Sequence, residues 1–316
     1  MNQQAWPVLP LAEWLPTYQT LHRWTQIVGK TRLGLAPFEN HWWHGALYVS
    51  TRGLTTSPTP YNGGLVEIEF DFVHDQLEVR TSDDEARNIQ LQNLSVADFY
   101  HEFRELLAAL DIDVRIIPTP NELPDALPFP RDHVHTTYDG GAARRCWHAL
   151  INANRALKRF RSDFAGKCSP THFWWGGFDL ACTRFSGRRA PVYQNVVPNT
   201  PAFVMREAYS HECISAGWWP GTPESPIAEP AFYAYAYPEP AGCEVAPIRP
   251  AGAFFERDMR LWILTDDTAR RSNDPGAMIA EFLESTYEAA AALSNWDVAA
   301  LRSNRAVVTH EPSKAS

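Results

Sequence analysis

The residues best suited to chemistry stand in REAYSHECISAGWWPG, where Tyr209, His211 and Glu212 lie almost side by side. Imidazole titrates near neutrality, and a neighbouring carboxylate and phenol could pass it protons, so the group points to general acid–base catalysis. If the segment is extended, Tyr209 and His211 share a face and Glu212 turns to the other. The alternative is a histidine hydrogen-bonded in a surface loop. A second group is His41 and His44 in NHWWHG. The segment lacks HExxH, and two imidazoles three residues apart leave a regular strand on opposite faces. They hold one ion only where the strand is bulged or begins after His41. With His172, His211 or Glu212 completing the set, zinc or iron is the metal such donors suit. Otherwise these histidines bond backbone groups among the tryptophans, and the cofactor stays open.

Arg52, Arg184 and Arg188 form a third group, with Arg189, Lys30 and Lys167. Arg52 shares a strand face with His44 and Tyr48, and a buried arginine needs an anion. That anion is either internal, such as Asp179, Glu67, Glu69 or Asp71, or a carboxylate or phosphate of a ligand. Twelve tryptophans are many for 316 residues. They build a large aromatic core or the rigid walls of a pocket, for which Trp43, Trp175 and Trp219 are the candidates, together with Asp179. Other signatures fail. Ser186 lacks the GxSxG elbow, Cys182 reads as core, no GxGxxG occurs, and GKT at 29–31 lacks the upstream glycine of a phosphate loop.

The elements that must position these groups follow from periodicity. Apolar residues from Leu11 to Ile27 repeat at helical spacing, with a break or kink expected near Pro16. HWWHGALYVSTRG reads as a strand, LVEIEFDF and QLEVRT as two more, SVADFYHEFRELLAAL as a helix capped by Ser95, and Asp113–Ile117 as a short strand. Proline-rich residues 119–141 read as a linker. A basic amphipathic helix, AARRCWHALINANRALKRFRSDF, precedes HFWWGGFDLACTRFSGRR, again a strand.

The two halves echo each other. Trp42/Trp174, Trp43/Trp175, Gly45/Gly177, Thr51/Thr183 and Arg52/Arg184 coincide at one offset. SDDEAR at 82–87 matches TDDTAR at 265–270 at a larger one. The expectation is an internally duplicated α+β protein with a mainly antiparallel sheet, helices on one face and a pseudo-two-fold. The first copy spans 1–118 and the second 142–302, with an unshared insert at about 186–230. Residues 303–316 should be a disordered tail. Loops on a rigid frame vary freely, so the insert is where function is expected, roofing a cleft between the copies.

Composition bounds the partners. A net charge of −9 disfavours nucleic acid. No apolar run is long enough for a membrane span, the N-terminus lacks signal-peptide features, and five cysteines without CxxC fit reduced thiols in a cytoplasm. The motifs GK, NHWWH, FDF, GKCSPTHFWWGGFDLACTRFSGRRAP, EAYSHE, GWWPG and FYAYAYPEPAG resemble a bacterial family of uncharacterised proteins, a domain of unknown function. The resemblance runs from Leu11 to Leu301. It implies a stand-alone cytoplasmic protein and brings no activity, cofactor or catalytic residue. The residues themselves point to an enzyme acting on a small, anionic or aromatic molecule. A non-catalytic sensor or carrier, and an interaction module using the aromatic insert, are the alternatives.

Overall fold

The computed structural model describes residues 6–303, so most of the expected tail lies outside the described residues. Its centre is helix α1, Leu11–Leu35, which runs unbroken past Pro16, its sixth residue, at the loss of one backbone bond. The helix is buried almost all round, polar residues included. Its apolar positions, Trp14, Leu21, Trp24, Ile27 and Val28, belong to one core shared by both halves of the chain.

The buried polar groups of α1 need partners, and the proline-rich segment 119–141 supplies many of them. Arg23 bonds Asp125 at 3.0 Å and Asp132 at 3.2 Å. Gln26 Nε2 donates to the Asn121 carbonyl at 2.9 Å, and Lys30 donates to Asn121 Oδ1. Phe129 and Asp132 are fully buried. The segment is therefore a strap bound onto α1.

Two six-stranded antiparallel sheets flank this centre. The first contains β1 Tyr48–Val49, β2 Gly53–Thr55, β4 Gly64–Asp71, β5 Gln76–Thr81 and β6 Ala86–Gln90 in that order, with β3 Thr59–Tyr61 also on β4. Val66, Ile68, Phe70 and Phe72 turn inward, and Phe70 stacks on Phe99 of helix α2, Val96–Ala109. The second sheet is ordered β11 Phe254–Glu256, β12 Leu261–Thr265, β10 Ala231–Tyr237, β9 His211–Trp219, β8 Asp179–Arg189 and β7 His172–Trp174. Helices α3 Gly140–Ser162 and α6 Pro275–Leu293 pack against this sheet. Leu180, Cys182, Ile214, Ala216, Trp218 and Phe232 join the shared core. The sheets meet at one bridge, where Leu47 and Phe173 exchange backbone bonds of 2.9 and 2.8 Å. Among the described residues, no helix is long and apolar enough to cross a membrane.

The α+β architecture with antiparallel sheets is as expected, but several local readings change. NHWWHG is a 3-10 turn over Asn40–Gly45, not a strand, with His41 and Trp42 both at positive φ, 57° and 62°. Aromatic richness marks a surface fit for burial as readily as a strand, and here tertiary bonds set the backbone. His41 N donates to Glu207 Oε1 and Trp42 Nε1 to the Val204 carbonyl. HFWWGGFDLACTRFSGRR is two strands, β7 and β8, joined by a hairpin turn over Trp175–Phe178. Residues 113–117 form no strand. The echoed segments also differ. Ala86 and Arg87 lie in β6, whereas Asp266–Arg270 is helix α5, capped by the Thr265 hydroxyl. Arg52 sits at the turn between β1 and β2, while Arg184 is inside β8. The insert is more than a roof: it contributes β9, which pairs with β8 and β10 inside the second sheet.

Candidate functional site

Cross-strand partners share a face, so the register of β7 to β10 defines which side chains lie opposite the helix-packed core. That second face carries Trp174 and Asp179, then Thr183 and Ser215, then Gly217 and Tyr233, Tyr235 and Tyr237, with Phe185 and Cys213 beyond. Only a small apolar cluster around Trp219, Ala231, Tyr233 and Ile263 covers it. The segment after β8, with α4 Ala202–Ala208 and the tip of the strap, closes over the rest. Asn121 Nδ2 donates to the Asn199 carbonyl, and Glu122 N to the Pro198 carbonyl. Trp174, Asp179, Thr183, Tyr209 and Tyr235 keep partial exposure although they belong to this covered face. The arrangement is a partly covered face, open to water at these side chains.

Two carboxylates meet at one end of it. Asp179 begins β8, and its Oδ2 accepts a short bond from the Tyr233 hydroxyl. Glu122 reaches in from the strap. Glycines make the meeting possible. A Cβ on Gly176 would lie 2.1 Å from Glu122 Oε1, and one on Gly177 would lie 2.9 Å from Asp179 Oδ1 and 3.6 Å from Glu122 Oε2. A Cβ on Gly217 would lie 2.4 Å from the Tyr233 hydroxyl. Removal from bulk water pushes Asp179 up to about 6, against the pull of its bond from Tyr233. Crowding by protein, and then the Asp179 charge, push Glu122 up to about 7, and its open position tempers that shift. Both carboxyls are raised towards neutrality, and Glu122 also feels the Asp179 charge.

The floor beyond is lined with hydroxyls. Thr183 Oγ1 and Ser215 Oγ lie 2.9 Å apart, and the Tyr209 and Tyr235 hydroxyls 2.8 Å apart. At the far end, the positive-φ turn brings in His41, whose ring stacks on Phe185 at 4.5 Å and lies 5.7 Å from that of His211. His41 Nδ1 donates to the Glu207 and Ala208 carbonyls, which leaves Nε2 to accept from Lys167 Nζ at 2.6 Å. Burial first, then Lys167, lowers His41, and burial first, then Lys167 and Arg189, lowers His211. Both imidazoles are thus held neutral at pH 7.

Of the residues singled out in the sequence, His211, Tyr209, His41, Trp43, Asp179 and Trp219 come to this face. Others do not. Glu212 points away from His211 and accepts from Ser186 Oγ at 3.0 Å and Arg188 Nε at 2.8 Å, so neither Glu212 nor Arg188 is free for a ligand. His44 packs against Phe38 and Trp42, and its Nδ1 accepts from Glu39 N. Arg52 pairs with Asp71 at 2.6 Å on the other sheet. Arg184 is buried between Phe160 and Tyr287, bonded to the Phe160 carbonyl. Trp175 presses on Gly29 of α1 and donates Nε1 to the Gly45 carbonyl at 2.7 Å, a structural staple. His172 is buried among Trp43, Tyr48 and Trp174. The four histidines considered for a metal therefore do not converge. Among the described residues, no three His, Cys, Asp or Glu side chains are placed to hold an ion.

The model of a family of unknown function, DUF5996, matches residues 6–303. The chain belongs to this family. No curated protein and no solved structure is significantly similar to it. The DUF5996 match spans the strap, both sheets and the partly covered face, so the whole described fold is the family unit. Within it, the sequence singles out neither Tyr233 nor Glu122 as a site residue. Glu122 lies in a proline-rich run that reads as a spacer, and only the buried polar face of α1 explains why that run is bound in place.

Proposed function

We propose that the protein is an enzyme of proton-transfer chemistry, with Asp179 and Glu122 as its acid–base pair and the partly covered face of β8–β10 as its active site. The observation that carries this reading is the meeting of two carboxylates and the Tyr233 hydroxyl where water enters. One carboxyl holds a proton near neutrality while the other is ionised, so the pair can donate and accept in one cycle. Tyr233 orients Asp179 by its bond to Oδ2. The acidic end suits a hydroxyl, an amine or a water rather than an anion. An anionic group of the same substrate is matched at the other end by the Lys167 ammonium, with His211 beside it as a neutral hydrogen-bonding group. Trp174 and Trp219 flank the acidic end on the neighbouring strands as flat apolar walls. The backbone strain at His41 and Trp42 supports a functional reading of that end. Two adjacent side chains at positive φ cost about 1–3 kcal/mol each and persist where the surroundings hold them.

Carboxyl-pair chemistry makes hydrolysis the first reaction to test. Chromogenic p-nitrophenyl esters and glycosides should be turned over by the wild type, with a loss of about 10²–10⁴-fold in both Asp179→Asn and Glu122→Gln. Turnover that survives in both variants would place the chemistry elsewhere. The second reading, a carrier or sensor, is favoured by the floor hydroxyls, which already bond one another and suit a ligand rich in hydroxyls. A compound that raises the melting temperature of wild type and of both variants without being converted would select it.

A further inference from the structure

Behind this face, on the core side of β8, two thiols face each other. Cys182 is fully buried in the middle of the strand, and Cys168 lies half-buried on the chain segment that runs alongside it. That segment is pinned in register. Ser169 N donates to the Thr183 carbonyl at 2.9 Å, Phe185 N donates to the Lys167 carbonyl at 3.0 Å, and Cys168 pairs with Arg184. The sulfurs are 3.6 Å apart. A disulfide needs them at about 2.0 Å, so a movement of about 1.5 Å closes the bond.

The surroundings divide the labour between the two. Arg184 is paired across from Cys168, and Arg161 is tied to the same segment by its Nε bond to the Ser169 carbonyl at 2.8 Å. The Cys182 thiol and these two guanidiniums lower the Cys168 thiol, whereas Cys182 is raised by its bond to Cys168 and by burial. A partly exposed thiol in an electropositive setting is the nucleophile of a pair, and its buried neighbour resolves it. Cys146, Cys213 and Cys243 are buried free thiols.

We infer that Cys168 and Cys182 form an oxidisable dithiol that reacts with hydroperoxides and closes to an intramolecular disulfide. In the first step the Cys168 sulfur attacks a peroxide oxygen and the O–O bond breaks. Cys168 becomes a sulfenic acid, and with hydrogen peroxide the departing oxygen leaves as water. In the second step the Cys182 sulfur attacks the Cys168 sulfur and the S–O bond breaks. The hydroxide takes the Cys182 proton and leaves as a second water. Two thiols and one hydrogen peroxide thus give one disulfide and two waters. The inference is independent of the carboxylate pair, since these thiols lie on the other face of β8.

The test uses the full chain, treated with two equivalents of hydrogen peroxide, one more than the disulfide consumes, capped with N-ethylmaleimide in denaturant, digested and mapped by mass. The expected product is a cross-linked peptide pair containing Cys168 and Cys182, two hydrogens lighter than the dithiol and reopened by dithiothreitol, with the other three cysteines capped. In Cys182→Ala the cross-link is lost and Cys168 proceeds to sulfinic acid. In Cys168→Ser, Cys182 stays reduced. The inference is overturned if wild-type Cys168 goes to sulfinic acid with Cys182 present. It is equally overturned if both thiols stay capped while a control exposed thiol is consumed.

Discussion

Asp179 shows how one residue's environment sets its use. Its ordinary carboxyl titrates near 3.8, and the partly covered face raises it to about 6. A raised acid is more easily protonated in the folded state, so its favourable contribution is present at low pH and is lost as pH rises through 6. Asp179→Asn imitates the protonated form. It should therefore raise stability at pH 8, by about 1–2 kcal/mol once the water at that face is allowed for, and change little at pH 4. Thermal melts at the two pH values check this. A variant that loses stability equally at both would mean that Asp179 is already ionised at pH 4 and its carboxyl is not raised.

At this scale the sequence was only partly legible. His211, Tyr209 and Asp179 were visible as groups with chemistry, but their pairing was not. A strand's alternation told that Glu212 faces away from His211, yet only the packed structure gives it to Arg188 and Ser186. For Arg52 the sequence leaves an internal anion and a ligand both open, with ligand binding expected of it, and the structure gives it the buried Asp71 instead.

The elements that matter most are the hairpin turn after Trp174 and the helix it leans on. His22 of α1 donates Nε2–H to the carbonyls of Trp175 and Gly176, at 3.0 and 2.9 Å, and so holds the turn that launches Asp179. Burial lowers His22 to about 4, so the folded state keeps it neutral. Its contribution is complete above 6.5 and is lost as pH falls towards 4. His22→Gln can still donate but does not titrate. Between pH 7 and 5 it should lose about 2 kcal/mol less stability than wild type, measured by urea denaturation at each pH. The same turn explains Gly29. A Cβ there would lie 2.1–2.5 Å from the Trp175 ring. Helix propensity alone predicts that Gly29→Ala stabilises by about 1 kcal/mol. The contact predicts the opposite sign, a loss of about 1–3 kcal/mol, and a melting curve decides between them.

Elements with strong periodicity were readable: α1, α2, α3, β4 and β5 stand near where the spacing put them. The NHWWHG turn was not, because its backbone is set by bonds to Glu207 and Val204, far away in sequence. Nor was the fate of SDDEAR and TDDTAR, which share residues and differ in structure. Short polar matches leave the backbone free to follow its surroundings.

Over the whole molecule, α1 lies in the core shared by both halves, α3 packs on strands of both sheets, and the strap bonds several of the buried polar residues of α1. The strap carries Glu122 across to the second sheet. The site is consequently assembled from distant parts of the chain: the strap, β8, β9, β10 and the insert. Composition and periodicity speak to each part alone, which is why the insert was legible as a place for function while its acidic partner was read as a linker. The family model spans residues 6–303, strap included.

The proposed activity requires Glu122 and Asp179, from separate segments, to act on each other. Carboxyl titration by isotope-edited NMR tests it directly, with Asp179→Asn beside the wild type. The pair should titrate in the range of about 6 to 7 in wild type, and Glu122 should move downward in the variant, where the neighbouring negative charge is gone. Two carboxyls that titrate at their ordinary values, with Glu122 indifferent to the change at Asp179, would contradict the account.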